Sequence, residues 1–189
     1  MIDAVLTFLR DELSAFVLAR TNSTAVEVKL TKLVNEAGKY AFGEETIALS
    51  LINIEEDRVF KAQVPEYSYI NGQHVKLEPE LKFNLHLMVA ANFNVYVQAW
   101  KAISLVLAFF QSHSAFSASE YPALDSGIDK LTVELESLNY EQLNQVWAYI
   151  GGKHLPSVIY KIRVVVIQDT AATGIQLPIT KIQTNIKSQ

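Results

Sequence analysis

Ile2, Val5, Leu6, Leu9, Leu13, Phe16 and Val17 recur at steps of three and four residues, with Asp3, Thr7, Arg10, Asp11 and Ser14 filling the other side. That period predicts an amphipathic helix with one buried stripe, ending near Arg20 to Ser23. Val26, Val28 and Leu30 then alternate with Glu27, Lys29 and Thr31, the pattern of a strand with one buried face. Gly38 and Gly43 punctuate the connection that follows. From Thr46 to Ile52 the chain is apolar on nearly both sides, as in a strand covered on two faces or built into a subunit contact.

Between Arg58 and Pro79 the periodicity stops. Pro65, Pro79, the turn dipeptide Asn71-Gly72 and the aromatics Tyr67 and Tyr69 read as a long loop or an extended hairpin. Long connections in compact domains tend to be functional, so this one is a candidate partner-binding arm, against the plainer reading of a surface hairpin. Leu81, Phe83, Leu85 and Leu87 alternate with Lys82, Asn84, His86 and Met88, which predicts a two-sided third strand. Asn92 or Asn94 is expected to open the longest helix, with Tyr96, Trp100, Ile103, Val106, Leu107 and Phe110 on its buried stripe. After a Ser- and Ala-rich connection, Leu131, Val133 and Leu135 mark a fourth strand. Asn139 can cap a third helix whose apolar side is Leu143, Val146, Trp147 and Ile150, and Gly151-Gly152 supplies its left-handed stop. A fifth strand follows, with Val158, Tyr160 and Ile162 on one face and Lys161 and Arg163 on the other.

Each helix has one apolar stripe and most strands one apolar face. That order predicts an α+β fold, a mixed, mostly antiparallel sheet with helices packed mainly on one face. Residues 1–168 form the expected domain and 169–189 a C-terminal extension or arm. In the tail, Ile175, Leu177 and Ile179 alternate with Gln176, Pro178 and Thr180, as in an edge or added strand. Such a segment either pairs with a neighbouring subunit's sheet edge or closes the chain's own sheet.

Composition narrows the function classes. Of the 189 residues 50% are apolar and only 19% charged, which excludes a disordered tail protein and leaves apolar surface for buried interfaces. A formal charge of −4 gives no long-range attraction for nucleic acid unless Lys101, Lys153, Lys161 and Arg163 converge. The absence of cysteine removes disulfides, thiolate metal sites and a cysteine nucleophile. The start of the chain has no basic and apolar leader pattern, so synthesis and assembly in the cytoplasm are expected. The most apolar run, Ala102 to Phe110, is far below the ~20 residues that cross a bilayer, so no direct membrane insertion is expected.

Candidate chemistry is sparse. His74, His86, His113 and His154 are isolated, with no ligand pair at helical spacing. His86 falls on the polar side of its strand, where a solvated or interface imidazole is expected. Ser157 lacks a nucleophile context and follows Pro156 at a strand start. The acidic groups Glu44-Glu45, Glu55-Glu56-Asp57, Glu134 and Glu136 read as solvated turns and strand ends. No glycine-rich phosphate loop occurs. Neither a catalytic site, a cofactor, a metal nor a small-molecule substrate is expected, although a ligand-binding or enzymatic α+β domain stays the alternative from another class. The candidate interaction residues are Arg58, Tyr67, Tyr69 and His74 in the first arm, and Ile175, Leu177 and Ile179 in the second.

Three stretches carry a family resemblance: Met1 to Leu13, Ile47 to Glu56, and Leu85 to Phe93. With the run from Trp147 through Gly151-Gly152 and Leu155-Pro156-Ser157 to Arg163, they resemble the Pvc16 N-terminal domain family as far as about Gln168. The resemblance implies a tail-terminator-like fold and a cap protein of a phage-tail-like contractile injection system. It implies a ring of six copies that closes the inner tube and contacts the last sheath layer, in a particle either released or anchored in the cell. No catalytic residue comes with it.

Overall fold

The computed structural model describes residues 1–57, 66–70, 73–77, 82–166 and 175–176. The first helix, α1 (Ile2–Thr21), buries Val5, Leu6, Phe8, Leu9, Leu13 and Val17, close to the stripe its period predicts. It stops at Asn22, which adopts the left-handed conformation (φ 49°) and returns its N–H to the Leu18 carbonyl. Strand β1 (Glu27–Leu30) then pairs in parallel with β2 (Thr46–Glu56). A parallel pair needs a crossover, and here the connection from Thr31 to Glu45 passes over one sheet face and seats Leu33 and Phe42 there.

The main sheet has six strands in the order β1-β2-β5-β8-β7-β6, where β5 is Lys82–Asn92, β6 Ala115–Ser117, β7 Ile128–Glu136 and β8 Ser157–Val166. Every pairing apart from β1–β2 is antiparallel, so the sheet is mixed and mostly antiparallel, as expected. A bulge between Leu51 and Asn53 shifts the β2–β5 register. Strand β6 lies in the Ser- and Ala-rich connection, where three residues are too few to show a period.

Two cores form, one on each face. On the first, α1 and α2 (Tyr96–Ser112) cover Ile47, Leu49, Leu85, Leu87, Val89, Leu131, Tyr160 and Ile162. Phe8 and Phe116 meet edge to face there with centroids 5.3 Å apart, and Phe110 lies 4.4 Å from the Tyr160 ring. On the second, Trp147 of α3 (Tyr140–Ile150) packs with Leu33, Phe42, Ala48, Met88, Ala90 and Ile159. Two helices share one face and the third lies opposite, which accounts for why β5 is buried on both sides. Its alternation predicts a polar face, yet Asn84, His86 and Met88 are all buried. An interior strand between β2 and β8 is covered whatever its pattern.

The third helix follows its sequence signals. The Asn139 side chain accepts from the Gln142 N–H at 2.8 Å and the Gln142 side chain accepts from the Asn139 N–H at 3.0 Å, a complete capping box. Gly151 ends the helix in the left-handed region with φ 76°. The second helix departs from expectation at both levels. Its N-cap is Val95, because Asn92 stays in β5 with its side-chain amide donating to the Gly43 carbonyl and Asn94 bonds Glu44. Its buried stripe is Ala99, Ala102, Ile103, Val106, Phe109 and Phe110, which leaves Tyr96, Trp100 and Leu107 exposed. Leu135, expected in the core with Leu131 and Val133, is exposed near the end of β7.

The Arg58–Pro79 stretch contains a hairpin, β3 (Glu66–Ile70) and β4 (Gln73–Leu77), so the extended-hairpin alternative describes this part of it. Strand β9 (Ile175–Gln176) adds to β4, giving a separate three-stranded sheet.

Candidate functional site

The small sheet gathers part of the predicted contact set. Its register pairs Tyr69 with His74 and Tyr67 with Lys76, and on the other side of β4 pairs Val75 with Ile175 and His74 with Gln176. The two segments read as separate arms are thus joined by main-chain pairing within one chain. Ile175 meets the hairpin and not the main sheet. Arg58, Leu177 and Ile179 lie outside the described residues.

A polar cluster occupies the second sheet face beyond α3. Register places Asn53 and Lys161 on either side of His86, and Asn84 beside Arg163. Nδ1 of His86 lies 2.7 Å from Glu136 Oε2, and Nε2 lies 3.2 Å from Glu55 Oε2. The second contact lacks hydrogen-bond alignment, since among the described residues Nε2 has no bonded partner. Nε of Arg163 is 3.5 Å from Asp57 Oδ2. His86 is therefore neither solvated nor at the surface; it is 8% exposed and held between carboxylates from β2 and β7. Among the described residues no group of three His, Asp or Glu side chains could hold a metal ion. Through His86 the cluster links side chains of β2, β5 and β7. Lys101 sits on α2 across the sheet from Lys161 and Arg163, so these basic residues do not converge into one patch.

The larger candidate surfaces are two helix faces. On α2, Tyr96 is 67% and Trp100 42% exposed, their rings in edge contact at 6.0 Å, with Val95, Val97 and Leu107 also open to solvent. Lys101 is the sole charged residue in this helix and stands at the rim of a groove of about 430 Å³ lined by Thr21, Val26, Phe93 and Leu105. On α3, Tyr140 is 93% and Tyr149 83% exposed, and Glu141 is the sole charged residue. The sequence carried a signal for the first surface: α2 is apolar nearly all round, more than one face of a sheet can absorb. No described helix is long and apolar enough to cross a membrane.

A curled, mixed six-stranded sheet with two helices on one face and one on the other is an α+β fold of the tail-terminator type. The chain belongs to the Pvc16 N-terminal domain family, which matches it over residues 4–181. Among solved structures it is similar to the sheath/tube terminator of the PVC extracellular contractile injection system in its extended state, with TM-score 0.68 and 13% identity, covering 100% of this chain and 64% of that one. It is also similar to the tube-terminating cap of the anti-feeding prophage, with TM-score 0.64 and 16% identity, covering 98% of this chain and 61% of that one. The chain thus spans less than two thirds of the length of either terminator. No curated protein matches it in sequence.

Proposed function

We propose that this chain is a cap subunit of a phage-tail-like contractile injection system, a tail terminator whose copies close into a ring on the end of the inner tube and touch the terminal sheath layer. The observation that carries this reading is family membership over nearly the whole chain, combined with a fold shared with two terminators along at least 98% of its length. The ring has six copies in this reading: head-to-tail contacts close only when the subunit rotation divides a full turn, and a six-fold tube selects a six-fold cap. The subunit works by shape, without catalytic or cofactor chemistry, and assembles in the cytoplasm into a particle that is released or anchored.

Polymerisation stops because one side of the ring matches the tube and the other offers no matching face. Residues 169–189 act as an arm beyond the 1–168 domain. Together with the hairpin they present Arg58, Tyr67, Tyr69, His74, Ile175, Leu177 and Ile179 to the tube or sheath.

Mass measurement and electron microscopy of the purified chain, alone and with tube subunits, test the reading. A ring has about six times the 21.2 kDa subunit mass and sits at the tube end. Tubes of normal length in a strain lacking the protein would overturn it. Removal of Gly174–Gln189 is expected to abolish tube-end binding, and unchanged binding would reject the arm.

A further inference from the structure

Resting on the ring reading, we infer that the ring contact is made by two helices, the outer face of α2 on one subunit and the outer face of α3 on the next. Three observations carry this. First, both helices hold large exposed aromatics, Tyr96 and Trp100 clustered on α2 and Tyr140 and Tyr149 on the two flanks of the exposed side of α3, whereas α1 carries charges along its exposed side. Aromatics on otherwise weakly charged surface are the composition of an interface core.

Second, each helix carries one charge and the signs are opposite: Lys101 on α2 and Glu141 on α3. Facing copies of α2 would bring lysines together in apolar surroundings, and facing copies of α3 would do the same with glutamates. Only α2 against α3 pairs the charges. The groove beside Lys101, lined by Thr21, Val26, Phe93 and Leu105, offers a hole for the tyrosine next to Glu141.

Third, the two helices cover opposite faces of the sheet, α2 over Leu87 and Tyr160 and α3 over Met88 and Ile159. A contact between unlike surfaces on opposite sides of a subunit is head-to-tail, the kind that propagates around a ring instead of stopping at a dimer.

The test is a charge-swap cycle on the full chain, read by mass photometry with and without tube subunits, with circular dichroism confirming the fold of each variant. Lys101→Glu and Glu141→Lys are each expected to raise the concentration needed for ring formation about tenfold or more, since like charges then meet in every contact. The double variant Lys101→Glu/Glu141→Lys is expected to return to within about threefold of the parent, as a direct pair requires. Trp100→Ser, which removes the aromatic and introduces no charge, is expected to weaken rings without recovery in the swapped background. Rings unchanged in both single variants, or single variants that lose tube binding while keeping rings, would overturn the helix pairing and leave the ring reading intact. A parent chain that stays monomeric even on tube ends would overturn both.

Discussion

Nδ1 of His86 on β5 stands 2.7 Å from Oε2 of Glu136 on β7, reaching past the intervening strand β8. The imidazole is nearly buried while Glu136 is about a quarter exposed and Glu55, on its other side, is half exposed. Removing the ring leaves two carboxylates facing the same cavity. Removing one carboxylate leaves a histidine with one remaining neighbour.

The expected order of destabilisation is therefore His86→Ala above Glu136→Gln above Glu55→Gln. His86→Ala should cost about 2 kcal/mol, through lost packing as well as lost pairing. Glu55→Gln should cost under about 0.5 kcal/mol, because its contact is exposed and poorly aligned. Urea unfolding checks this: the midpoints should fall in that order with the slopes unchanged.

That histidine also marks the limit of what the sequence makes legible. Strand alternation correctly separates Leu85 and Leu87 from Asn84 and His86, but it cannot say that the second face is covered too, because Met88 is covered by α3 and the β1–β2 crossover and His86 by Glu55 and Glu136, all far away in sequence. Helix α2 shows the same failure in reverse. Its apolar arc is wider than the surface beneath it, so Tyr96 and Trp100 satisfy the periodicity and still end in solvent. Signals that act over three or four residues, the Asn139–Gln142 box and the Gly151 stop, were fully readable. The three-residue β6 and the pairing of Ile175 with Val75 leave no local trace.

Tyr160 is 2% exposed and packed against Phe110, and its hydroxyl has no hydrogen-bond partner among the described residues. Burial pushes its pKa from the ordinary 10.0 up to about 12. Tyr160→Phe removes an unpaired polar group at little change in volume, so it should leave stability unchanged or raise it by about 1 kcal/mol. Above pH ~10 the unfolded chain loses this proton and the folded chain retains it, so the folded state binds more protons and stability falls as pH rises. The parent should lose up to about 2–3 kcal/mol between pH ~10 and ~12 that the variant keeps. Parallel loss in both proteins would show that the hydroxyl is solvated.

The capping box gives a second local test. Asn139→Ala removes the acceptor for the Gln142 N–H and should cost about 1 kcal/mol. Gln142→Ala removes the reciprocal bond to the Asn139 N–H, and because the two share one geometry the losses should not add. Hydrogen exchange should place the change in α3 and leave α1 protected, since the helices belong to different cores.

Gly152 joins α3 to the β1–β2 crossover, and its sensitivity should differ in kind from that of its neighbour. A Cβ built there would lie 2.9 Å from Val34 Cγ2 and 3.6 Å from the Trp147 ring, and the Tyr40 hydroxyl donates to the Lys153 carbonyl at 2.9 Å just beyond. Valine is stiff about its first side-chain bond, so Gly152→Ala must displace the crossover, at about 1–3 kcal/mol. At Gly151 no described residue lies within 4 Å of such a Cβ and the difficulty is the backbone angle of φ 76°, so Gly151→Ala should cost about 1 kcal/mol through the backbone. Val34→Ala separates the two. In that background Gly152→Ala should become nearly neutral, because the obstructing methyl is gone, whereas Gly151→Ala should cost as much as before. Additive losses at Gly152 in the double-mutant cycle would mean that Val34 does not press on the helix terminus.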